Sequence, residues 1–269
     1  MPQDLSEIIG DWQFDAADES RNVRKILGED GREKVQVRIR GGLLQWDLDG
    51  RPDGTRSHGF ESLLHYYRHL LDRHVAREKE EKDFRLTPAQ AEAGGEEMVD
   101  YYQRRVSLFL LGDFERARED ALHNLALMDF LKAHLTDERL VTEHERYRPF
   151  VIMDRARAEA AIAINQKQYR QSIEVLDRGS QEIIQFYRDH QHEDLIKESQ
   201  ELDVLRSIKD KLREEYDIPL TPEEQLEQLR EQLQRAIDEE DYEHAAQLRD
   251  QIHECERHQQ NQSATPSSP

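Results

Sequence analysis

The chain has 269 residues, of which 36% are hydrophobic and 36% charged, and its formal net charge is −20 at pH 7. The length favours one or two globular units, and so lean an apolar content is typical of amphipathic helices with wide solvated faces. The acidic charge disfavours direct nucleic-acid binding, because phosphates require a basic surface. The single cysteine, Cys255, excludes an internal disulfide framework and any zinc site built on several cysteines.

The sequence shows no basic segment leading an apolar run at its N-terminus and no stretch of 18 apolar residues. Neither a signal peptide nor a membrane-spanning helix is therefore predicted. A cytoplasmic, bacterial-type protein is the default expectation.

Alternating apolar and polar residues predict a small antiparallel sheet near the N-terminus. Segments 35–39 and 44–48 alternate around a Gly41-Gly42 turn, and residues 22–27 supply a third strand. Since a three-stranded meander needs cover on one face, we expect the helix predicted over 59–78 to provide it. Residues 1–80 are predicted to form one small α+β domain, followed by a connector over 79–95.

The same region contains a locally basic stretch. If the segment is a hairpin, these residues mostly lie on its polar side, which is either a solvated strand face or a surface that binds a small ligand or anion. The residues are Arg21, Arg24, Lys25, Arg32, Lys34, Arg38 and Arg40.

Residues 96–216 show helical periodicity throughout and predict a bundle of helical hairpins. Two corners share a pattern, in which an aromatic residue is followed three positions later by a small one: Phe114 with Ala117, and Tyr169 with Ser172. The aromatic is expected to fill the wedge between two helices, and the small residue to let their backbones approach. The pattern resembles tetratricopeptide-type hairpins, although its period of 55 residues departs from the usual 34 or so.

The segment 221–257 predicts an antiparallel helical hairpin. Thr221, Pro222 and Glu224 form a capping box at its start. Apolar residues then recur at spacings of three and four, which is the pattern of a narrow coiled-coil seam. An acidic corner over 238–241 separates the two helices, and residues 258–269 are predicted to be a disordered tail.

The second half of this hairpin, 236–252, reads AIDEEDYEHAAQLRDQI and resembles the UVR motif of the UvrB and UvrC subunits of bacterial nucleotide excision repair. The resemblance implies a non-catalytic module that pairs with a second UVR hairpin. The residues expected to contact the partner are Leu226, Leu229, Leu233, Tyr242, Ala245, Leu248, Arg249 and Ile252. The seam can instead pack inside the protein itself, because a hairpin this short needs another apolar surface.

Other chemistry finds little support in the sequence. His65 and His69 stand four residues apart on a predicted helix, a spacing that suits one metal ion, but Tyr66 and Tyr67 indicate simple packing. The chain contains no phosphate-binding loop, no paired CxxC motifs and no nucleophile elbow. No enzymatic activity, cofactor or metal is therefore predicted.

The sequence thus predicts a mainly α protein with a small N-terminal α+β unit, a helical-hairpin bundle and a C-terminal helical hairpin. Its expected function is that of an adaptor or scaffold that docks a protein partner, such as a stress-protease chaperone or a repair subunit. Two alternatives remain open: a homodimer that self-pairs through the hairpin, and a small-ligand or anion-binding protein that uses the basic N-terminal unit.

Overall fold

The computed structural model of the protein describes residues 4–78 and 80–263. They form a three-stranded antiparallel sheet near the N-terminus, a series of helices and a C-terminal helix pair, which confirms the predicted fold class. The chain divides into two compact units between residues 211 and 212. We call residues 4–211 the body and residues 212–263 the C-terminal unit. The predicted domains 1–80 and 96–216 both fall largely within the body, and their independence stays a prediction.

The strands and helices follow one another along the described chain as follows. The strands are β1 (Val23–Leu27), β2 (Glu33–Ile39) and β3 (Gly42–Asp47). The helices are α1 (Leu5–Ile9), α2 (Leu63–Val75), α3 (Pro88–Leu110), α4 (Phe114–His134), α5 (Glu138–Glu145), α6 (Arg148–Asn165), α7 (Tyr169–Asp189), α8 (Gln200–Tyr216), α9 (Pro222–Asp238) and α10 (Tyr242–Ser263).

The sheet has the order β1-β2-β3, with both neighbouring pairs antiparallel. Ile39 pairs with Gly42, so the tight turn between β2 and β3 consists of Arg40 and Gly41, one residue earlier than predicted. Val35 lies opposite Trp46 and is fully buried on the face that turns towards the helices. The period-2 alternation therefore identifies Val35 and Val37 as facing the core, although Ile39 at the end of the strand is 40% exposed and Gln36 is buried on the other side.

The helix that covers this face is not the predicted one. Val23, Val35 and Leu48 form one buried cluster with Leu108 and Ala117, from the corner between α3 and α4. The prediction that the helix over 59–78 covers the sheet is therefore wrong. An apolar stripe shows that a helix is buried on one side, but it does not identify the surface that buries it.

Helix α2 packs on the helical bundle instead. Tyr67 is almost fully buried, and its hydroxyl donates a hydrogen bond to the carbonyl oxygen of Gln90 at 2.7 Å. The backbone N–H of Leu63, one of the free donors at the start of α2, donates to Glu97 Oε2 at 2.7 Å. These bonds fix α2 against α3.

Helix α3 begins at Pro88, inside the segment predicted as a connector. Thr87 and Gln90 form a capping box with Pro88 at the first helical position, the same signal that starts α9. Gly94 lies inside the helix, where an added Cβ would stand 3.4 Å from a methyl carbon of Leu131. The glycines of this segment therefore allow close helix packing and do not mark a loop.

Among the described residues of the body, two arginine–aspartate pairs have both side chains buried. Arg104 donates to both carboxylate oxygens of Asp120, at 3.0 and 2.6 Å, and also to the carbonyl oxygens of Asp47 and Gly50. Arg105 donates through Nε to Asp154 at 2.9 Å. The first pair joins two helices to the end of β3, so a charged network holds the sheet on the bundle.

The C-terminal unit contains the end of α8 and the antiparallel pair α9 and α10. Its core consists of Ala236, Ala245 and Leu248, with Leu229 and Leu233 packed against them. Helix α10 continues to Ser263, into the segment predicted as a disordered tail, and residues 264–269 lie outside the described residues. Three of the residues from 258 to 263 are glutamines, and glutamine is a good helix former.

None of the helices in the described part of the chain is both long enough and apolar enough to cross a membrane.

Candidate protein-interaction site at the hairpin corner

Most of the predicted contact residues line the interior of the hairpin. Leu226, Ala245, Leu248 and Ile252 are all buried. Leu229 and Leu233 are half-buried against the small core. The apolar seam of the hairpin is therefore largely buried between α9 and α10. Less apolar surface remains for contact with another protein than the sequence suggested.

The other two predicted contact residues face solvent. Tyr242 is 69% exposed, and Arg249, which lies on the same helix, is also exposed. Tyr242, Ala246 and Arg249 are spaced by four and three residues, so they form one outer face of α10 beside the corner. This face is the part of the predicted site that remains available to a partner.

The corner itself repeats a geometry found in the body. Glu240 adopts a positive φ of 58°, and the N–H of Asp241 donates to the carbonyl oxygen of Ala236 at 2.8 Å. At the α3–α4 corner Gly112 has φ 69°, and the N–H of Asp113 donates in the same way to Leu108 at 3.0 Å. These six-to-one bonds are the Schellman arrangement of a helix end.

The sequences of these two corners also agree. Residues 113–117 read DFERA and residues 241–245 read DYEHA. In both, the aspartate carboxylate accepts the backbone N–H three residues later, from Arg116 in the body and from His244 in the hairpin. The α6–α7 corner, with Lys167 at φ 61° and Tyr169 as its aromatic, completes the set.

The corners differ in what happens to their aromatic residue. Phe114 is half-buried, packs against the sheet-facing cluster and stands 6.1 Å from the ring of Phe109. Tyr169 is also half-buried. Tyr242 occupies the same position with more than two thirds of its surface exposed. The hairpin therefore presents outward an aromatic residue that the body uses for internal packing.

Sequence reasoning missed part of this surface. Ile237, the penultimate residue of α9, is 44% exposed at the corner. Its neighbour in the sequence, Ala236, is buried. The orientation of the helix therefore decides which of the two apolar residues is exposed. The recurrence of the aromatic-and-small pattern at Tyr242 and Ala245 was a signal available in the sequence. We call the exposed Ile237, Tyr242, Ala246 and Arg249 the corner surface.

Acidic side chains surround the corner surface. All are exposed, and they are Asp238, Glu239, Glu240, Asp241 and Glu243. The carboxylates add to the field of a chain that already carries a net charge of −20. A protein surface with apolar groups surrounded by lysine or arginine would complement this patch, and like charges would be repelled.

The basic N-terminal stretch is largely paired within the body. Lys25 contacts Asp113 at 2.6 Å, and Lys34 contacts Asp47 at 2.5 Å. Arg32 shares that same aspartate at 2.6 Å. Arg24 stacks on Trp12 and donates to Gln36. The chain's own acids thus neutralise much of the charge that a bound anion would require.

His65 and His69, the two histidines with metal-ligand spacing, contact different residues. His65 Nδ1 is hydrogen-bonded to the hydroxyl of Ser62 at 2.7 Å, whereas the ring of His69 lies 5.0 Å from that of Phe60. Within the described residues, no group of three or more potential ligands is arranged to hold a metal ion.

Comparison with known protein families matches residues 223–256 to the UvrB/uvrC motif. The match covers α9, the corner and most of α10, and it confirms the resemblance noted in the sequence. No curated protein and no solved structure matches the chain. The tetratricopeptide-like reading of the central helices finds no support from a family match.

Proposed function

We propose that the protein is a non-catalytic adaptor that docks a partner protein through the corner surface of its C-terminal hairpin. The observation that carries this proposal is the exposure of Tyr242 at a corner whose counterparts keep their aromatic residue half-buried. Exposed tyrosines are efficient contact residues, because they bring a large rigid area with little loss of side-chain entropy. The family match supports the proposal, since UVR motifs mediate protein–protein interactions.

The electrostatics favour a partner different from the chain itself. An isologous dimer through the corner surface would place two clusters of exposed carboxylates opposite each other, at a cost in free energy. A partner with cations around an apolar patch relieves this repulsion. A second UVR-like hairpin with a basic corner, on a chaperone of the stress-protease type or on a repair subunit, has that chemistry.

The experiment compares proteins captured from a cell lysate by the full-length chain and by Tyr242→Ala, with quantitative mass spectrometry. Leu27→Ala is the matched control, because Leu27 is 71% exposed on β1 of the body. We expect at least one protein to be retained by the wild type and by Leu27→Ala, and to be depleted tenfold or so with Tyr242→Ala.

Each candidate is then produced alone and titrated against the three chains. Equal affinity for wild type and Tyr242→Ala would refute the corner surface as the docking site. Light scattering of the full-length chain, with and without Tyr242→Ala, separates the homodimer alternative: a dimer that dissociates in the variant would show self-pairing in place of an adaptor.

A further inference from the structure

The body contains a large cleft that is lined by residues of the body. It has a volume of about 930 Å³ and opens between α3, α4, α5 and the start of α6. Its walls are mainly apolar, and they include Met98, Tyr102, Met128, Leu140, Phe150 and Val151. Clefts that bind small organic molecules are of this size and character, with an apolar lining and a few polar groups.

Three side chains that line this cleft each carry one polar atom that is buried without a hydrogen-bond partner in the described structure. The atoms are Arg105 Nη1, Asn124 Oδ1 and His144 Nε2. The side chain of Arg105 is only 1% exposed, and Asn124 is almost as deeply buried. More than nine in ten buried polar groups have a partner in folded proteins, so three orphans on side chains that line one cleft point to a ligand that supplies the partners.

The roles of two of these atoms are fixed by their neighbours. Asn124 Nδ2 donates to the carbonyl oxygen of Met98 at 3.0 Å, so the amide cannot turn over and Oδ1 must accept. Arg105 Nη1 can only donate. Burial lowers the pKa of His144, so its ring is uncharged at neutral pH. The residues that line the cleft therefore include a cationic donor, Arg105, and an amide acceptor, Asn124.

Arg105 shares its carboxylate partner with a second cation. Asp154 is the carboxylate that pairs with Arg105, and it also accepts from Arg157 Nη1 at 3.0 Å. Asp154 accepts from Arg105 through Nε only, so Arg105 Nη1 keeps its capacity to donate a charge-assisted hydrogen bond to an anion. Glu92 and Glu143 line the exposed mouth, where solvent and salt screen them from the buried floor.

We propose that this cleft binds a small, largely apolar carboxylic acid that bears a hydrogen-bond donor. The carboxylate accepts from Arg105 Nη1, and the donor, a hydroxyl or an amide N–H, bonds Asn124 Oδ1. The hydrocarbon part lies against Met98, Met128 and Phe150, where flexible methionines adapt to its shape. This site lies wholly within the body, so it stands or falls independently of the docking function of the hairpin.

The test titrates the full-length chain with 11-(dansylamino)undecanoic acid and, in parallel, with its methyl ester, following dansyl fluorescence. The acid carries the carboxylate, an apolar chain and a sulfonamide N–H, whereas the ester lacks only the charge. We expect saturable binding of the acid, about tenfold or more tighter than that of the ester, because a buried donor from a cation gains most from a charged acceptor.

Variants connect the binding to the cleft. Arg105→Lys keeps a cation beside Asp154 but removes Nη1, so the preference for the acid over the ester should disappear. Val99→Trp fills the cleft from an exposed lining position and should abolish binding of both probes. Val106→Trp is the matched control, since Val106 is exposed on α3 two turns further along and does not line the cleft.

Four results would overturn the proposal: no saturable binding below about 1 mM, equal affinity for acid and ester, an unchanged acid preference in Arg105→Lys, or equal binding by Val99→Trp and Val106→Trp. Far-UV circular dichroism verifies the fold of each variant. If Arg105→Lys fails to fold, the two surface tryptophan variants and the acid–ester comparison in the wild type still decide the question.

Discussion

The corner at Phe114 and the corner at Tyr242 have nearly the same local sequence and the same backbone, but Phe114 is half-buried whereas Tyr242 is exposed. Both contain an aspartate cap, a left-handed residue before it and a small residue three positions after the aromatic. In the body the sheet lies against the corner and covers Phe114. At the hairpin corner, Tyr242 has no comparable cover among the described residues and stays exposed.

The difference shows that a local motif sets the path of the chain, whereas its surroundings decide whether the aromatic residue packs inside the fold or stays exposed to solvent. The interiors of the two units differ in a parallel way. The body buries Arg104 with Asp120 and Arg105 with Asp154, whereas the core of the C-terminal unit consists of alanine and leucine. Changes at matched positions should therefore have unequal effects.

The largest expected effect is that of Asp120→Ala in the body. Removal of the carboxylate leaves the buried Arg104 guanidinium without its counter-charge, which costs about 3–5 kcal/mol of unfolding free energy. Urea unfolding followed by tryptophan fluorescence measures it, because Trp12 and Trp46 both lie in the body. As the control, Asp203→Ala removes the exposed partner of Arg206 and should change stability by less than about 0.5 kcal/mol. Similar effects of the two variants would show that the buried pair has no special role.

The next effect is a direct test of the two corners. Phe114→Ala should lower the unfolding free energy of the body by about 2–3 kcal/mol, below the cost for a fully buried phenylalanine because Phe114 is half-buried. Tyr242→Ala should change the thermal unfolding of the hairpin, measured by far-UV circular dichroism, by no more than about 0.5 kcal/mol. A loss at Tyr242 as large as that at Phe114 would contradict the assignment of Tyr242 to recognition.

The smallest effect is a dependence on pH that is confined to the body. Burial lowers the pKa of His134 and of His144 from the ordinary 6.5. Below about pH 6.5 the unfolded chain therefore binds protons that the folded body does not, so stability falls as the pH decreases from that value towards the folded-state pKa. Urea midpoints by tryptophan fluorescence should accordingly be lower at about pH 5.5 than at about pH 7.

His134→Phe sharpens this prediction. The ring of His134 contacts those of Phe84 and Phe130, so phenylalanine fits its surroundings and cannot be protonated. This variant should lose part of the pH dependence, whereas His253→Gln, at an exposed position of the hairpin, should keep all of it. A wild-type midpoint that does not change over this range would refute the linkage to buried histidines.

Much of the fold could be predicted from local signals. The alternation around Val35 predicts the strands, and the capping box at Thr221 marks the start of α9 to the residue. The corner at Tyr242 was also recognised, because its acidic and small residues follow a known motif order. The same type of capping box at Thr87 was overlooked, since the glycines that follow it suggested a connector.

The sequence by itself determined the order of the elements, the faces that must be buried and the match of the hairpin to the UVR motif. These are properties of short segments, set by periodicity, capping and turn chemistry. The tertiary structure alone decided which surfaces meet: that the sheet rests on the α3–α4 corner, that Arg105 and Asn124 line one cleft, and that Tyr242 remains exposed. The physical reason is that burial depends on groups distant in sequence. The type of an apolar or charged residue does not identify the residue that it will contact.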